Sequence, residues 1–98
     1  MVTKQQYKEY LTQYLHSDTI ANNLLNLLLD ASLWNESVHP LDCPTFGYCN
    51  DNQIRIFLGK PNQELTPLQL YVLLRNPTFQ FVSVSLLNDQ FLLTLEII

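Results

Sequence analysis

Four residues between positions 39 and 49 carry side chains that can bind metals or act as nucleophiles, namely His39, Asp42, Cys43 and Cys49. A structural zinc site needs four ligands, and its cysteines usually stand two to four residues apart. Here the longer spacing Cys-x5-Cys contains a proline and a glycine, so a zinc site is not expected. The preferred interpretation is two buried or half-buried free thiols, and a disulfide that closes this loop is the alternative.

A cysteine–histidine pair is the catalytic arrangement that the composition allows most readily. It would join Cys43 or Cys49 to His16 or His39, but no flanking signature supports either thiol. Neither of the two glycines lies in a phosphate-binding loop or a nucleophile elbow, and the acidic residues are not grouped for acid–base chemistry. We therefore expect a protein that is not an enzyme and that has no cofactor and no metal site.

The distribution of charge excludes further classes. The 98 residues are enough for one domain, and the net charge is −4. The five basic residues are scattered singly along the chain, so nucleic-acid binding is not expected. Only 14% of the residues are charged, against about 25% in a typical domain, so little charge protects the surface against association.

The chain has no run of 18 apolar residues, so no membrane span is expected. Its first residues are Met-Val-Thr-Lys-Gln-Gln, which contain no apolar region of a signal peptide. A cytoplasmic location is therefore the expectation.

An amphipathic helix is predicted over residues 3–15, with Thr3 and Gln6 as its capping box. The apolar positions follow the helical template and are Tyr7, Tyr10, Leu11, Tyr14 and Leu15. Ser17 is a predicted N-cap for a second, largely buried helix over 18–33. The alternative is one continuous helix with a kink.

The remaining elements include strands and a third helix. Residues 35–52 are irregular, with a short strand as an option at 46–49, and a strand follows at about 53–58. Thr66 caps a predicted helix at 67–75, which ends before Asn76-Pro77.

The last twenty residues predict a β-hairpin with strands at 79–87 and 90–97 and Asn88-Asp89 as a two-residue turn. This turn fixes a register in which Leu87 faces Gln90, Leu86 faces Phe91, Val84 faces Leu93 and Val82 faces Leu95. Side chains alternate along a strand, so Val82 and Val84 share the apolar face with Leu93.

The other hairpin face would carry three large apolar residues among serines and threonines. They are Phe79, Phe81 and Leu92, with Phe57 from the neighbouring strand. A contiguous patch of this kind marks a covered surface or an interface. The candidate partner or dimer surface therefore contains Phe57, Phe79, Phe81 and Leu92, together with the helix residues Tyr7, Tyr10 and Tyr14.

These elements predict a single α+β domain over residues 1–98, with the helices packed on one side of a small antiparallel sheet. The residues expected to be almost fully buried are Leu24, Leu28, Ile56, Leu73, Val84 and Leu93.

Residues 65–98, a helix ending in Leu-Arg-Asn and a hairpin turning at Asn-Asp, resemble the C-terminal half of the small acidic chaperones of type III secretion. Those chaperones are α+β homodimers that hold an extended partner peptide. The resemblance covers a third of the chain, and the paired helices at 3–33 depart from that family.

The function expected from the sequence is a non-catalytic protein–protein interaction module that binds another protein or itself as a homodimer. A chaperone-like protein, an adaptor and an inhibitor all fit this description. The alternative is a small-molecule-binding protein or minor enzyme with a pocket near the 35–50 loop, using Trp34, His39, Cys43 and Cys49.

Overall fold

Two N-terminal helices, a small antiparallel sheet and a third helix form the α+β arrangement expected from the sequence. The computed structural model describes residues 2–47, 50, 52–58 and 65–98. The helices are α1 (Lys4–Leu15), α2 (Asp18–Asp30) and α3 (Pro67–Arg75), and the strands are β1 (Thr45–Phe46), β2 (Gln53–Phe57), β3 (Phe79–Leu87) and β4 (Gln90–Ile97).

The helix starts follow from side-chain capping. The Thr3 hydroxyl accepts a hydrogen bond from the Gln6 amide, and the Gln6 side chain accepts one from the Thr3 amide. His16 has a left-handed φ of 53° and ends α1, and the Ser17 hydroxyl then caps α2. The first two helices are therefore separate. The second ends at Asp30 rather than at residue 33, because the chain turns there.

The four strands are ordered β1-β2-β4-β3, and all neighbours are antiparallel. The predicted hairpin turn is confirmed, since Asn88 and Asp89 have φ values of 52° and 63° and Leu87 pairs with Gln90. The pairing of Val84 with Leu93 is confirmed as well. Part of the optional strand at 46–49 lies outside the described residues, and β1 begins one residue earlier, at Thr45.

The predicted pairing of Val82 with Leu95 is wrong, because a β-bulge interrupts β3 between Phe81 and Ser83. Phe81 pairs with Leu95 in its place, and Val82 is the additional residue. The bulge reverses the alternation for the first part of the strand. Phe79 and Phe81 therefore join the core face of the sheet. The prediction that they share the outer face with Phe57 is wrong.

The core lies between the helices and the face of the sheet that carries Ile54, Ile56, Leu93 and Leu95. Five of the six residues predicted to be buried are so, namely Leu24, Leu28, Ile56, Leu73 and Leu93. Val84 is only half-buried, because it lies beyond the bulge in the part of β3 that extends toward the turn. None of the helices in the described residues has the length and apolar character needed to cross a bilayer.

Candidate protein-binding surface

Tyr7, one of the predicted interface residues, lies in the core. Only 3% of it is exposed, and its ring stacks on Trp34 at a centroid distance of 4.6 Å. Its hydroxyl donates a 2.8 Å hydrogen bond to the Pro44 carbonyl and so joins α1 to the loop before β1. Burial, with smaller contributions from Cys43 and Tyr10, raises the pKa of the Tyr7 phenol far above its usual value. Tyr7 is therefore unavailable to a partner.

The other two tyrosines of α1 cover the edge strand β1. The Tyr10 hydroxyl accepts a 3.0 Å hydrogen bond from the Phe46 amide, and the Tyr14 ring stacks on Phe46 at 4.9 Å. Tyr10 is half-buried, whereas Tyr14 remains exposed. The predicted tyrosine surface is therefore mainly an internal contact between α1 and the sheet, with Tyr14 at its rim.

The phenylalanines of the predicted patch are separated by the bulge. Phe79 is fully buried, and Phe81 is half-buried against the core. Phe57 and Leu92 are paired neighbours and are half-buried on the outer face of the sheet. Gly47 approaches this face closely, since a Cβ at that position would lie 3.2 Å from the Phe57 ring. Only the Phe57–Leu92 pair of this patch therefore lies on the outer face.

The predicted thiol pocket has a small counterpart in the structure. Cys43 is a buried free thiol whose sulfur accepts a hydrogen bond from the Trp34 indole nitrogen at 3.2 Å. It helps to line an open cleft of about 200 Å³ between the start of α1 and residues 40–45. Ligand pockets usually measure about 300–1,000 Å³, so this cleft is small for a substrate site.

Of the remaining residues of that hypothesis, the described His39 and Trp34 do not line the cleft. His39 is exposed, and its Nδ1 accepts a hydrogen bond from the Leu41 amide. Trp34 is buried beneath Tyr7, and Cys49 lies outside the described residues. Within the described parts of the chain, no three His, Cys, Asp or Glu side chains are grouped as metal ligands would be.

The outward side of α3 is an apolar surface that the sequence analysis did not single out. Leu73 faces the core and is fully buried, whereas Leu68, Tyr71 and Leu74 are 71%, 53% and 63% exposed. We call these three residues the α3 outer face. The Arg75 guanidinium lies over the Tyr71 ring, 5.1 Å from its centre. The sequence Pro67–Arg75 already indicated an exposed apolar surface, because its leucines point to more sides of the helix than the core can cover.

The outer strand β3 is a second exposed element. The part beyond the bulge, from Ser83 to Leu87, runs to the hairpin turn without a further irregularity in its register. Leu86 and Leu87 are 62% and 45% exposed, and Ser83 and Ser85 are exposed as well. Most of the exposed large apolar residues that the structure describes in the C-terminal half thus lie on the α3 outer face or on β3, and Ile98 is the exception.

The chain matches no protein-family model, and no curated protein and no solved structure was found to be similar to it. What the protein does must therefore be inferred from its own geometry.

Proposed function

We propose that this protein is a non-catalytic protein-binding module that contacts its partner through the C-terminal half, the partner being another protein or a second copy of the chain. The observation that carries this proposal is the α3 outer face. Leu68, Tyr71 and Leu74 expose most of their surface on a helix that is anchored to the core by the fully buried Leu73.

The physical argument is one of burial. Covering a leucine side chain contributes about 1.5–3 kcal/mol, so the two leucines of this face are a substantial source of binding energy. The Arg75 guanidinium lies over the Tyr71 ring beside these leucines. Tyr, Arg and Trp are the residue types most enriched among those that contribute strongly to binding at protein interfaces. A chaperone, an adaptor or an inhibitor would use such a face in the same way.

A charge placed on the α3 outer face tests the proposal. Leu74→Glu removes one exposed leucine from α3, and Leu41→Glu is the matched control, because Leu41 is 85% exposed but lies in the short turn before β1. The three proteins are compared by sedimentation, and by capture from lysate of the source cells with chemical cross-linking. We expect the parent and the control to associate with the same protein, and Leu74→Glu to lose it while its circular dichroism spectrum is unchanged.

The opposite result is equally clear. If the parent sediments as a monomer and all three baits retain identical sets of proteins, no binding depends on this face. The proposal would then be wrong.

A further inference from the structure

We propose that a second copy of this chain pairs with the free edge of β3 in antiparallel orientation, so that two four-stranded sheets join into one of eight strands. The inference rests on the proposed function only in that both place contacts in the C-terminal half. It adds a second surface, so Leu74→Glu should keep this dimer. It concerns the segment Ser83–Leu87, which we call the β3 edge.

The register of the hairpin shows which backbone groups of β3 have no partner strand among the residues that the structure describes. A two-residue turn makes Leu87 and Gln90 a hydrogen-bonded pair, and such pairs alternate along an antiparallel ladder. Ser83 and Ser85 therefore direct their amides and carbonyls toward β4. Val84 and Leu86 alternate with these serines along the strand, so they direct their amides and carbonyls away from β4.

The two edges of the sheet differ in how they are protected. β1 is only two residues long, follows Pro44, and has the Phe46 amide bonded to the Tyr10 hydroxyl. β3 is nine residues long and contains no charged residue, proline or glycine. Exposed edge strands are normally protected by short length, charged residues, proline, a bulge or a covering element. Of these β3 has a bulge, which lies before Ser83 and leaves the β3 edge regular. This edge is therefore suited to pairing with another strand.

A second copy fits the β3 edge because its sequence Ser-Val-Ser-Leu-Leu is compatible with itself. In the two-fold register that uses all five residues, Ser85 faces Ser85 of the second copy on the axis. Val84 then faces Leu86 of the second copy, and the reverse, so these residues exchange their free backbone hydrogen bonds. The same contact covers the exposed Leu86 side chain on the core side of the sheet.

The charge distribution does not oppose pairing with a second copy along this edge. The whole chain has a net charge of −4, so two copies repel each other weakly, but no charged side chain lies within β3. Antiparallel pairing also sends the two Asp89 turns to opposite ends of the joint strand pair. Like charges, which destabilise cross-strand pairs, are therefore not brought face to face along this edge.

A cross-link at the two-fold axis tests the register, in a chain where Cys49 is replaced by serine and Cys43 stays buried. In Ser85→Cys the two sulfurs meet across a non-hydrogen-bonded pair, whose Cα separation of about 4.5 Å is within the range for a disulfide. In the control Ser83→Cys they are four residues apart along the strand, about 14 Å. We expect mild oxidation to give a disulfide dimer from the first variant at a yield at least about fivefold above that of the second.

A substitution on the edge provides the second arm. Leu86→Glu changes an exposed residue and leaves the hydrogen bonds within the hairpin intact, so it should sediment as a folded monomer, whereas the control Leu41→Glu should remain a dimer. Thermal unfolding of both variants shows whether each is folded.

Failure of this inference can be distinguished from failure of the proposed function. A dimer that persists in Leu86→Glu, or equal cross-linking at positions 83 and 85, overturns the β3 pairing. If that dimer is lost in Leu74→Glu, the α3 outer face is the interface and the proposed function stands. A parent chain that is monomeric at every concentration also overturns the pairing, and the proposed function then depends on the captured partner alone.

Discussion

At the scale of single residues, Tyr7 shows how one side chain joins three parts of the fold. Its ring packs on Trp34, its hydroxyl bonds to Pro44 before β1, and its backbone belongs to α1. The sequence showed a tyrosine at an apolar helix position, but it did not show whether the hydroxyl would meet water or a buried acceptor.

The first prediction concerns the pH dependence of stability that Tyr7 produces. Because its pKa is raised in the folded state, the unfolded chain releases the phenolic proton first, near pH 10. The stabilisation is complete below that pH and falls as pH rises, by up to about 1.4 kcal/mol per pH unit. Urea unfolding at pH 9 and pH 11 should show a larger loss for the parent than for Tyr7→Phe, since the other tyrosines are common to both. Equal losses would contradict the assignment.

The second prediction concerns the core residue Leu93, which is fully buried and pairs with both Ile56 and Val84. Leu93→Ala should lower the free energy of unfolding by about 2–5 kcal/mol, because it leaves a cavity at the centre of the sheet. Leu41→Ala is the control at a mostly exposed position and should change it by about 0.5 kcal/mol or less. Chemical denaturation measures both, and a loss below about 1 kcal/mol for Leu93→Ala would place this residue outside the core.

At the scale of elements, the hairpin turn has the geometry required by its two residues. Asn88 and Asp89 both have positive φ, and Asn and Asp tolerate this conformation better than most residues. The turn sets the pairing of the strands from Ser83 to the tip, and the bulge then resets it toward the start of β3.

The third prediction tests this turn. Asp89→Gly should stabilise the protein by about 0.5–1 kcal/mol and Asp89→Val should destabilise it by about 1–2 kcal/mol, because a β-branched residue is strained at positive φ. Asp89→Asn is the control that removes the charge and keeps the tolerance. Thermal unfolding at one protein concentration measures all three, and a valine variant as stable as the asparagine variant would contradict the turn conformation.

The fourth prediction tests the bulge. With it, Phe81 packs against the core and Val82 is 43% exposed. Phe81→Lys should therefore cost about 3 kcal/mol or more, and Val82→Lys about 1 kcal/mol or less. Strict alternation from the turn would reverse this order, since Val82 would then face the core. Denaturation of the two variants side by side decides between the two registers.

At the scale of the whole molecule, the amount of exposed surface is ordinary. The accessible area is 5942 Å², close to the roughly 5,800 Å² expected for a monomer of this mass. The case for a partner therefore depends on where the apolar residues lie and on how few charges surround them. The ion pair between Lys8 and Asp18 joins α1 to α2 and lies on neither proposed contact surface.

The fifth prediction follows from that scarcity of charge. Association through the β3 edge and the α3 outer face buries apolar groups and backbone hydrogen bonds, so salt should not screen it. The dissociation constant from sedimentation should change by less than about threefold between low salt and 1 M NaCl. A tenfold weakening in salt would indicate a charged interface elsewhere on the molecule.

The sequence by itself determined the elements that depend on near neighbours. Thr3, Ser17 and Thr66 mark the helix starts because a capping side chain bonds an amide three residues away. Asn88-Asp89 fixed the hairpin because a turn of two residues sets its own register. The apolar alternation along β2 and β4 then assigned the core face of the sheet.

Only the tertiary structure decided what depends on distant contacts. The bulge at Val82 moved Phe79 into the core and Phe81 against it, and no residue near the turn requires the bulge. Tyr7 and Tyr10 found their hydrogen-bond partners some 36 residues away. The exposure of the α3 outer face and the β3 edge likewise depends on which elements pack beside them, and a local pattern cannot specify that.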